Sequence, residues 1–181
     1  MNYFQFFGIP ESFKLDVDEL RRLFLKNSKR FHPDFHASES DEKQAELLEL
    51  STANNQAFQV LSDPDLRLKH VLDLHGMLEN GGKNFSMPPG FLMEMIEINE
   101  GIDELATGFD VLVFEELQKK LASLKRELTV EIEPILEKWS PAVNAPGELE
   151  AVRDFFLKTR YIFRAEENLS TFAPLSDGKA S

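Results

Sequence analysis

Histidines and carboxylates are the side chains of this 181-residue chain that could bind a metal ion, and two of its four histidines are close together. His32 and His36 are four residues apart, which is the spacing of two zinc-binding histidines on one face of a helix. Pro33 lies between them and should break the helix that this spacing requires. No third ligand is evident nearby, and His70 and His75 stand singly on or near a short predicted helix. We therefore predict no metal site.

The chain also has few residues that are suited to covalent or redox catalysis. The chain has no cysteine, which excludes cysteine nucleophiles, disulfides and thiolate ligation of zinc or an iron–sulfur cluster. No nucleophile is paired with a base, and the sequence has no glycine-rich phosphate loop. We therefore predict that the protein is not an enzyme and that it holds no cofactor.

The tripeptide His32-Pro33-Asp34 follows a strongly basic predicted helix. Asp16 is a good N-cap for this helix, which should end at His32 because a residue before proline avoids the α-conformation. Between Leu20 and Phe31 there are five basic residues and no acidic one. These residues are Arg21, Arg22, Lys26, Lys29 and Arg30. The helix therefore presents a positive face next to the His-Pro-Asp loop.

A second stretch with binding chemistry is the helix predicted from about Pro89 to Gly108. Its apolar residues at spacings of three and four predict a core-facing seam of Phe91, Met95, Ile98, Ile102 and Leu105. Off this seam lie Leu92, Met93 and Ile96, and Phe91 to Glu104 contains five acids and no base. Two alternatives fit: a wide apolar stripe with a solvated acidic face, or a partner-binding surface with apolar anchors ringed by negative charge.

Nearly every ordered stretch repeats at the helical period, which predicts an all-α protein. We expect a long helix from about Asp41 to Leu61 with Leu48 in its core, and a short helix that stops at Gly76. Three further helices should form a small antiparallel bundle, the last with Phe163 inward. The predicted organisation is a first domain at 1–75, a linker at 76–88, a bundle at 89–171 and a flexible tail at 172–181.

Charge and hydropathy narrow the possible partners and location. The chain carries 32 acidic and 20 basic residues, a formal net charge of −12, which argues against nucleic acid as a partner. No apolar run approaches the roughly 20 residues of a membrane span. The N-terminus lacks the pattern of a secretory signal. We therefore predict a cytoplasmic protein with no nucleic-acid or membrane partner.

The first 75 or so residues resemble a J-domain, the module that docks on DnaK-type chaperones and stimulates their ATP hydrolysis. The resemblance rests on the aromatic-rich start Tyr3–Ile9, the basic helix, the His-Pro-Asp loop and the segment Asn55–Pro64, in this order. It implies that His32, Pro33 and Asp34 contact the chaperone where its nucleotide domain meets its substrate domain. The basic side chains would meet an acidic surface there. Two positions depart from the family: Phe35 stands where many members have lysine, and Asn54 where an aliphatic residue is common.

Nearly the whole chain resembles the HscB-type co-chaperones of iron–sulfur cluster biogenesis, because a J-domain, a linker and a bundle opening with Phe91-Leu-Met-Glu occur together. The resemblance implies an L-shaped molecule whose bundle binds the cluster scaffold protein, of the IscU type. The scaffold-contacting positions would be Leu92, Met93, Ile96, Glu97, Glu100 and Glu104, with a further apolar contact at Phe156 or Leu157. The chaperone would be a DnaK- or HscA-type ATPase.

We therefore predict a co-chaperone that binds the scaffold, delivers it to the chaperone and stimulates the chaperone's ATPase, which aids cluster transfer and the maturation of iron–sulfur proteins. The alternatives are a J-domain co-chaperone for a different client, and an acidic helical interaction protein whose His-Pro-Asp is accidental.

Overall fold

The computed structural model describes residues 1–36, 38–79, 86–143 and 145–173. Within these ranges the regular secondary structure is helical, apart from an isolated β-bridge between Ser140 and Val143, so the all-α prediction is confirmed. A 3-10 turn covers Pro33–Phe35. The α-helices are α1 (Tyr3–Phe7), α2 (Val17–Arg30), α3 (Asp41–Ser62), α4 (Pro64–Leu74), α5 (Pro89–Thr107), α6 (Val111–Lys138) and α7 (Glu148–Ser170).

Local capping explains where the first helices begin and end. The side chain of Asp16 accepts hydrogen bonds from two backbone N–H groups of the first turn of α2, at 2.9 and 3.1 Å. Asp63 caps α4 in the same way, with Pro64 at the first helical position. Gly8 ends α1 with φ +68°, a left-handed conformation that glycine adopts without strain.

The chain divides into two compact units. The first comprises Met1–Glu79 together with Ile135–Leu149, and the second comprises Asn80–Pro134 together with Glu150–Ser181. The boundaries predicted at residues 75 and 89 stay a prediction. Part of the predicted linker, at 80–85, and most of the predicted tail, at 174–181, lie outside the described residues.

The first unit is built on the pairing of α2 with α3. The rings of Phe24 on α2 and Phe58 on α3 stack at 4.4 Å between centroids. Leu47 is buried on α3, whereas Leu48 is 62% exposed, so the prediction that Leu48 is a core residue is wrong. The buried positions Leu47, Ala57 and Leu61 keep to one helical stripe, and Leu48 lies about 100° away from Leu47 on the helix.

A buried amide cross-links the same two helices. Asn54 is almost fully buried on α3, and its Nδ2 donates to the carbonyl oxygen of Phe24 at 3.1 Å and to Ser28 Oγ at 3.0 Å. Its Oδ1 accepts no hydrogen bond within the described part of the chain. Asparagine at position 54 therefore has a hydrogen-bonded Nδ2 and a buried Oδ1 without a partner among the described residues.

Arg67 and His70 on α4 join that helix to the N-terminal part of the chain and to the end of α3. The buried Arg67 donates from Nε to the carbonyl oxygen of Phe13 at 2.9 Å and from Nη1 to that of Leu61 at 2.6 Å. The Tyr3 N–H donates to His70 Nε2 at 3.2 Å, and the two rings stack at 4.6 Å. Burial lowers the pKa of His70, because desolvation disfavours the charged ring. The neutral ring can accept the Tyr3 bond at Nε2.

Trp139 also belongs to the first unit. Its indole ring lies 4.7 Å from the ring of Phe13 and meets the ring of His75 edge-on at 5.5 Å. The His75 ring in turn lies 3.1 Å from a carboxylate oxygen of Glu11. The last turn of α6 and the residue that follows it, Trp139, therefore belong to the first unit, whereas the rest of α6 belongs to the second.

The contribution of α5 to the core of the second unit is as the sequence predicts. The α5 seam of Phe91, Met95, Ile98, Ile102 and Leu105 is buried with residues of α6 and α7. Gly101 permits close approach of α6, because a Cβ atom there would lie 3.0 Å from a methyl group of Leu117. Phe163 is 56% exposed, so the prediction that it faces inward is wrong; Ile162, Ala165 and Leu169 are the buried residues of α7. Among the described residues, no helix is long and apolar enough to span a membrane.

Candidate functional site

The His-Pro-Asp loop is folded by its own backbone and by the ring of His32. The Phe35 N–H donates to the carbonyl oxygen of His32 at 3.1 Å, and the His36 N–H donates to that of Pro33 at 2.9 Å. The Asp34 N–H donates to His32 Nδ1 at 3.2 Å. This bond needs an unprotonated Nδ1 and so assigns the proton of the neutral ring to Nε2. The turn therefore fixes the imidazole rather than leaving it free.

His36 closes the loop from its far side. Its Nε2 lies 2.8 Å from the carbonyl oxygen of Arg30, at the C-terminal end of α2. The ring thus donates to one of the last carbonyls of the helix and ties together the two ends of the segment that contains His-Pro-Asp. Since His32 and His36 make these separate contacts, they do not converge on a common point. The described residues contain no group of three His, Asp or Glu side chains that could hold a metal.

The groups that the sequence predicts for partner contact are accessible. The side chains of His32 and Asp34 are 51% and 86% exposed, and the five basic side chains of α2 are all exposed. His32 Nδ1 and Asp34 Oδ2 lie 3.8 Å apart, which is too long for a hydrogen bond between them. Loop and helix therefore form a continuous polar surface in the first unit.

Two exposed apolar residues lie in the same surface but are not among the predicted contact residues. Leu25 is 55% exposed and lies among the basic residues of α2, and Phe35 is 65% exposed in the 3-10 turn. The sequence contained a signal for Leu25, because its nearest helical neighbours at spacings of three and four include Arg21, Arg22 and Lys29. Nothing in the local pattern indicates that the Phe35 ring is exposed.

The second candidate surface is the outer side of α5. Leu92, Met93 and Ile96 are 46%, 61% and 43% exposed, and Glu100 and Glu104 are exposed beside them. Because Phe91 and Ile98 are buried, the two faces of α5 are separated as the residue spacing predicts. An apolar strip bordered by carboxylates therefore faces solvent.

Glu97 occupies the edge of α5 next to α6. Its Oε2 lies 2.9 Å from Lys120 Nζ, and this hydrogen bond raises the pKa of Lys120. The residue spacing along α5 gives no indication of this pair. Part of the negative charge of the surface is therefore balanced from within the unit, whereas Glu100 and Glu104 have no such ion pair within the described residues.

Helix α7 offers two candidate residues, and its contacts distinguish them. Lys158 Nζ lies 5.9 Å from the centre of the Phe91 ring on α5, whereas Glu166 makes an ion pair with α6. At 100° per residue, Leu157 lies on the same side of the helix as Lys158, towards α5, and Phe156 lies on the side of Glu166, towards α6. The contacts therefore favour Leu157 as the α7 residue that continues the apolar strip of α5. The role of either residue in binding stays a prediction.

An all-α chain that presents His-Pro-Asp after a basic helix and carries a separate three-helix unit is a helical co-chaperone in its architecture. A family model described as the HSCB C-terminal oligomerisation domain matches residues 87–170. The co-chaperone protein HscB homolog of Vibrio parahaemolyticus is 31% identical over 170 residues, which are 87% of this chain and 99% of that protein. The chain belongs to the HscB family of co-chaperones, as its resemblance predicts.

Two solved structures share the fold. The chaperone HscB from Vibrio cholerae superposes with a TM-score of 0.64 at 26% identity, covering 94% of this chain and 96% of that one. The human co-chaperone protein HscB superposes with a TM-score of 0.70 over 94% of this chain and 81% of its own. Its 24% identity makes it evidence for the fold alone.

Proposed function

We propose that this co-chaperone links two partners, an ATPase chaperone of the DnaK or HscA type and the scaffold protein on which iron–sulfur clusters are assembled. The loop and basic face of the first unit would trigger ATP hydrolysis in the chaperone. The outer side of α5 in the second unit would hold the scaffold. The chain would thereby deliver the scaffold to the chaperone and promote cluster transfer to other proteins.

The observation that carries this proposal is the presence of two exposed surfaces of opposite charge on different units of one chain. The first surface has five exposed basic side chains around a rigid loop, and the second has an apolar strip bordered by exposed carboxylates. Charged rims steer a partner into register, and desolvated apolar anchors supply affinity. The first surface therefore suits an acidic partner, and the second suits a partner with an apolar patch and basic groups.

The proposal also includes the predictions that the protein is not an enzyme, holds no cofactor and acts in the cytoplasm. The relatives are co-chaperones, and the proposed action needs no bond-making group in this chain. It also needs no metal or cluster of its own, because the cluster would remain on the scaffold. The site of action would be the cytoplasm.

The test is the ATPase rate of the purified chaperone, measured with the co-chaperone alone, the scaffold alone and both together. We expect stimulation by the co-chaperone and a larger stimulation when the scaffold is also present. His32→Gln should abolish both effects while the free energy of unfolding changes by no more than about 0.5 kcal/mol, because the residue is exposed. Lys138→Gln, which removes a positive charge outside the proposed surfaces, is the matched control and should behave as wild type.

Full stimulation by His32→Gln would exclude the J-domain mechanism. Stimulation that never depends on the scaffold would favour the alternative client, since the first unit alone would then account for the activity.

A further inference from the structure

Phe35 is an exposed aromatic residue at the centre of the His-Pro-Asp loop. Its side chain is 65% exposed, and its ring packs edge-on against the ring of His32, with 5.8 Å between centroids and 66° between planes. Phe35 thus shares one surface with the residue on which the proposed function depends.

The side chain of Phe35 is not needed to fold this turn. The bonds that close it come from the backbone N–H groups of Asp34, Phe35 and His36, and any residue other than proline at position 35 would keep them. The ring is absent from the buried apolar residues of the first unit. Phe31, the other phenylalanine near the loop, is buried and fills that structural role.

The turn that carries Phe35 is tied by side-chain as well as backbone hydrogen bonds. The His36 ring ties the loop to the carbonyl oxygen of Arg30 at 2.8 Å, and His32 caps the turn. An aromatic side chain with two rotatable bonds on a hydrogen-bonded turn loses little conformational entropy on binding, which is the property of an interface anchor.

We propose that Phe35 is an apolar anchor of the contact with the ATPase chaperone, entering an apolar recess that borders the chaperone's acidic surface. This inference rests on the proposed function. The neighbouring exposed cations on α2 supply the charge that matches the acidic border, and Phe35 supplies the contact that is desolvated. Truncation of the Phe35 ring should therefore weaken the contact with the chaperone even where the charges on α2 are unchanged.

The experiment measures ATPase stimulation as a function of co-chaperone concentration for wild type, Phe35→Ala, Phe35→Leu and Phe163→Ala. The last variant is the matched control, because Phe163 is 56% exposed on the second unit. We expect Phe35→Ala to raise the half-maximal concentration about tenfold or more, as truncation of an aromatic anchor does. Phe35→Leu should give an intermediate value, and Phe163→Ala should match wild type.

The maximal rate separates anchoring from positioning. At saturating Phe35→Ala the stimulated rate should equal that of wild type, because His32 and the backbone of the turn are unchanged. A lower maximal rate at an unchanged half-maximal concentration would mean that Phe35 only orients His32, and would overturn the anchor. The loss of affinity should persist at about 0.5 M salt, where Coulomb interactions between exposed charges are screened.

Three further results would overturn the inference. Equal concentration dependence for Phe35→Ala and wild type would leave the proposed function intact and remove only the anchor. A change in the sedimentation of the free chain, or in its affinity for the scaffold, would assign the ring to a different occupant. Absence of any stimulation by the wild type would remove the proposed function and the anchor together.

Discussion

Simultaneous truncation of Leu92, Met93 and Ile96 to alanine should abolish scaffold binding without unfolding the second unit. Since each side chain is between 43% and 61% exposed, each truncation should change the free energy of unfolding by roughly 0.5 kcal/mol or less. Interface anchors of this kind cost more than about 1 kcal/mol each on truncation. The three together should therefore weaken binding by about 100-fold or more, because each 1.4 kcal/mol is about a factor of ten.

Binding would be measured by titration calorimetry of the purified scaffold, and stability by urea unfolding followed by circular dichroism. Ile98→Ala should instead lower the free energy of unfolding by about 2–5 kcal/mol, because Ile98 is fully buried. Leu112→Ala with Val130→Ala is the matched control, since both residues are exposed apolar residues of α6. A triple variant that unfolds, or one that binds the scaffold normally, would show that the two faces of α5 have been assigned wrongly.

Four further outcomes are expected. Leu157→Ala should weaken scaffold binding more than Phe156→Ala does, and equal effects in calorimetry would contradict the orientation inferred for α7. Lys26→Glu with Arg30→Glu should slow chaperone association about tenfold at low salt. Stopped-flow association rates of the wild type that do not change with salt concentration would exclude a steering role for this face. The pKa of His70 lies below its ordinary value in the folded protein, because burial disfavours the charged ring. Its contribution to stability is therefore complete above the ordinary pKa and is lost as the pH falls through the pKa of the folded state. Urea unfolding at several pH values should show this loss in wild type and a smaller loss in His70→Gln. Asn54→Leu should be neutral or stabilising by about 1 kcal/mol, because it removes a buried unpaired oxygen. A lower melting temperature than wild type would mean that the hydrogen bonds to Phe24 and Ser28 stabilise the fold by more than the unpaired oxygen destabilises it.

Features set within one or two helical turns could be predicted from the sequence. Asp16 and Asp63 cap helices because their carboxylates reach N–H groups two and three residues ahead, and this depends on local spacing alone. The α5 seam is also local, because a period of 3.6 residues divides the helix into two faces. The exposure of Leu92, Met93 and Ile96 follows from the same periodicity.

Features decided by distant neighbours could not be predicted in this way. Leu47 and Leu48 are equally apolar, and only the packing of α3 decides which of them is buried. The pairing of Glu97 with Lys120 depends on how α6 lies against α5. The exposure of Phe35 depends on a turn whose geometry comes from proline and backbone bonds rather than from the apolar pattern.

The packing of Trp139 with Phe13 has a consequence for how the chain can be divided. Because residues 135–149 belong to the first unit, the backbone passes between the two units three times, near residues 79, 134 and 149. A single proteolytic cut in the segment 76–88 would leave the units covalently joined through α6. A gene fragment ending at residue 79 would lack the indole that covers Phe13, and a fragment starting at residue 86 would carry that indole without its packing partners. A swap of the first unit between relatives should therefore include residues 135–149 along with the N-terminal segment, because these residues pack in that unit.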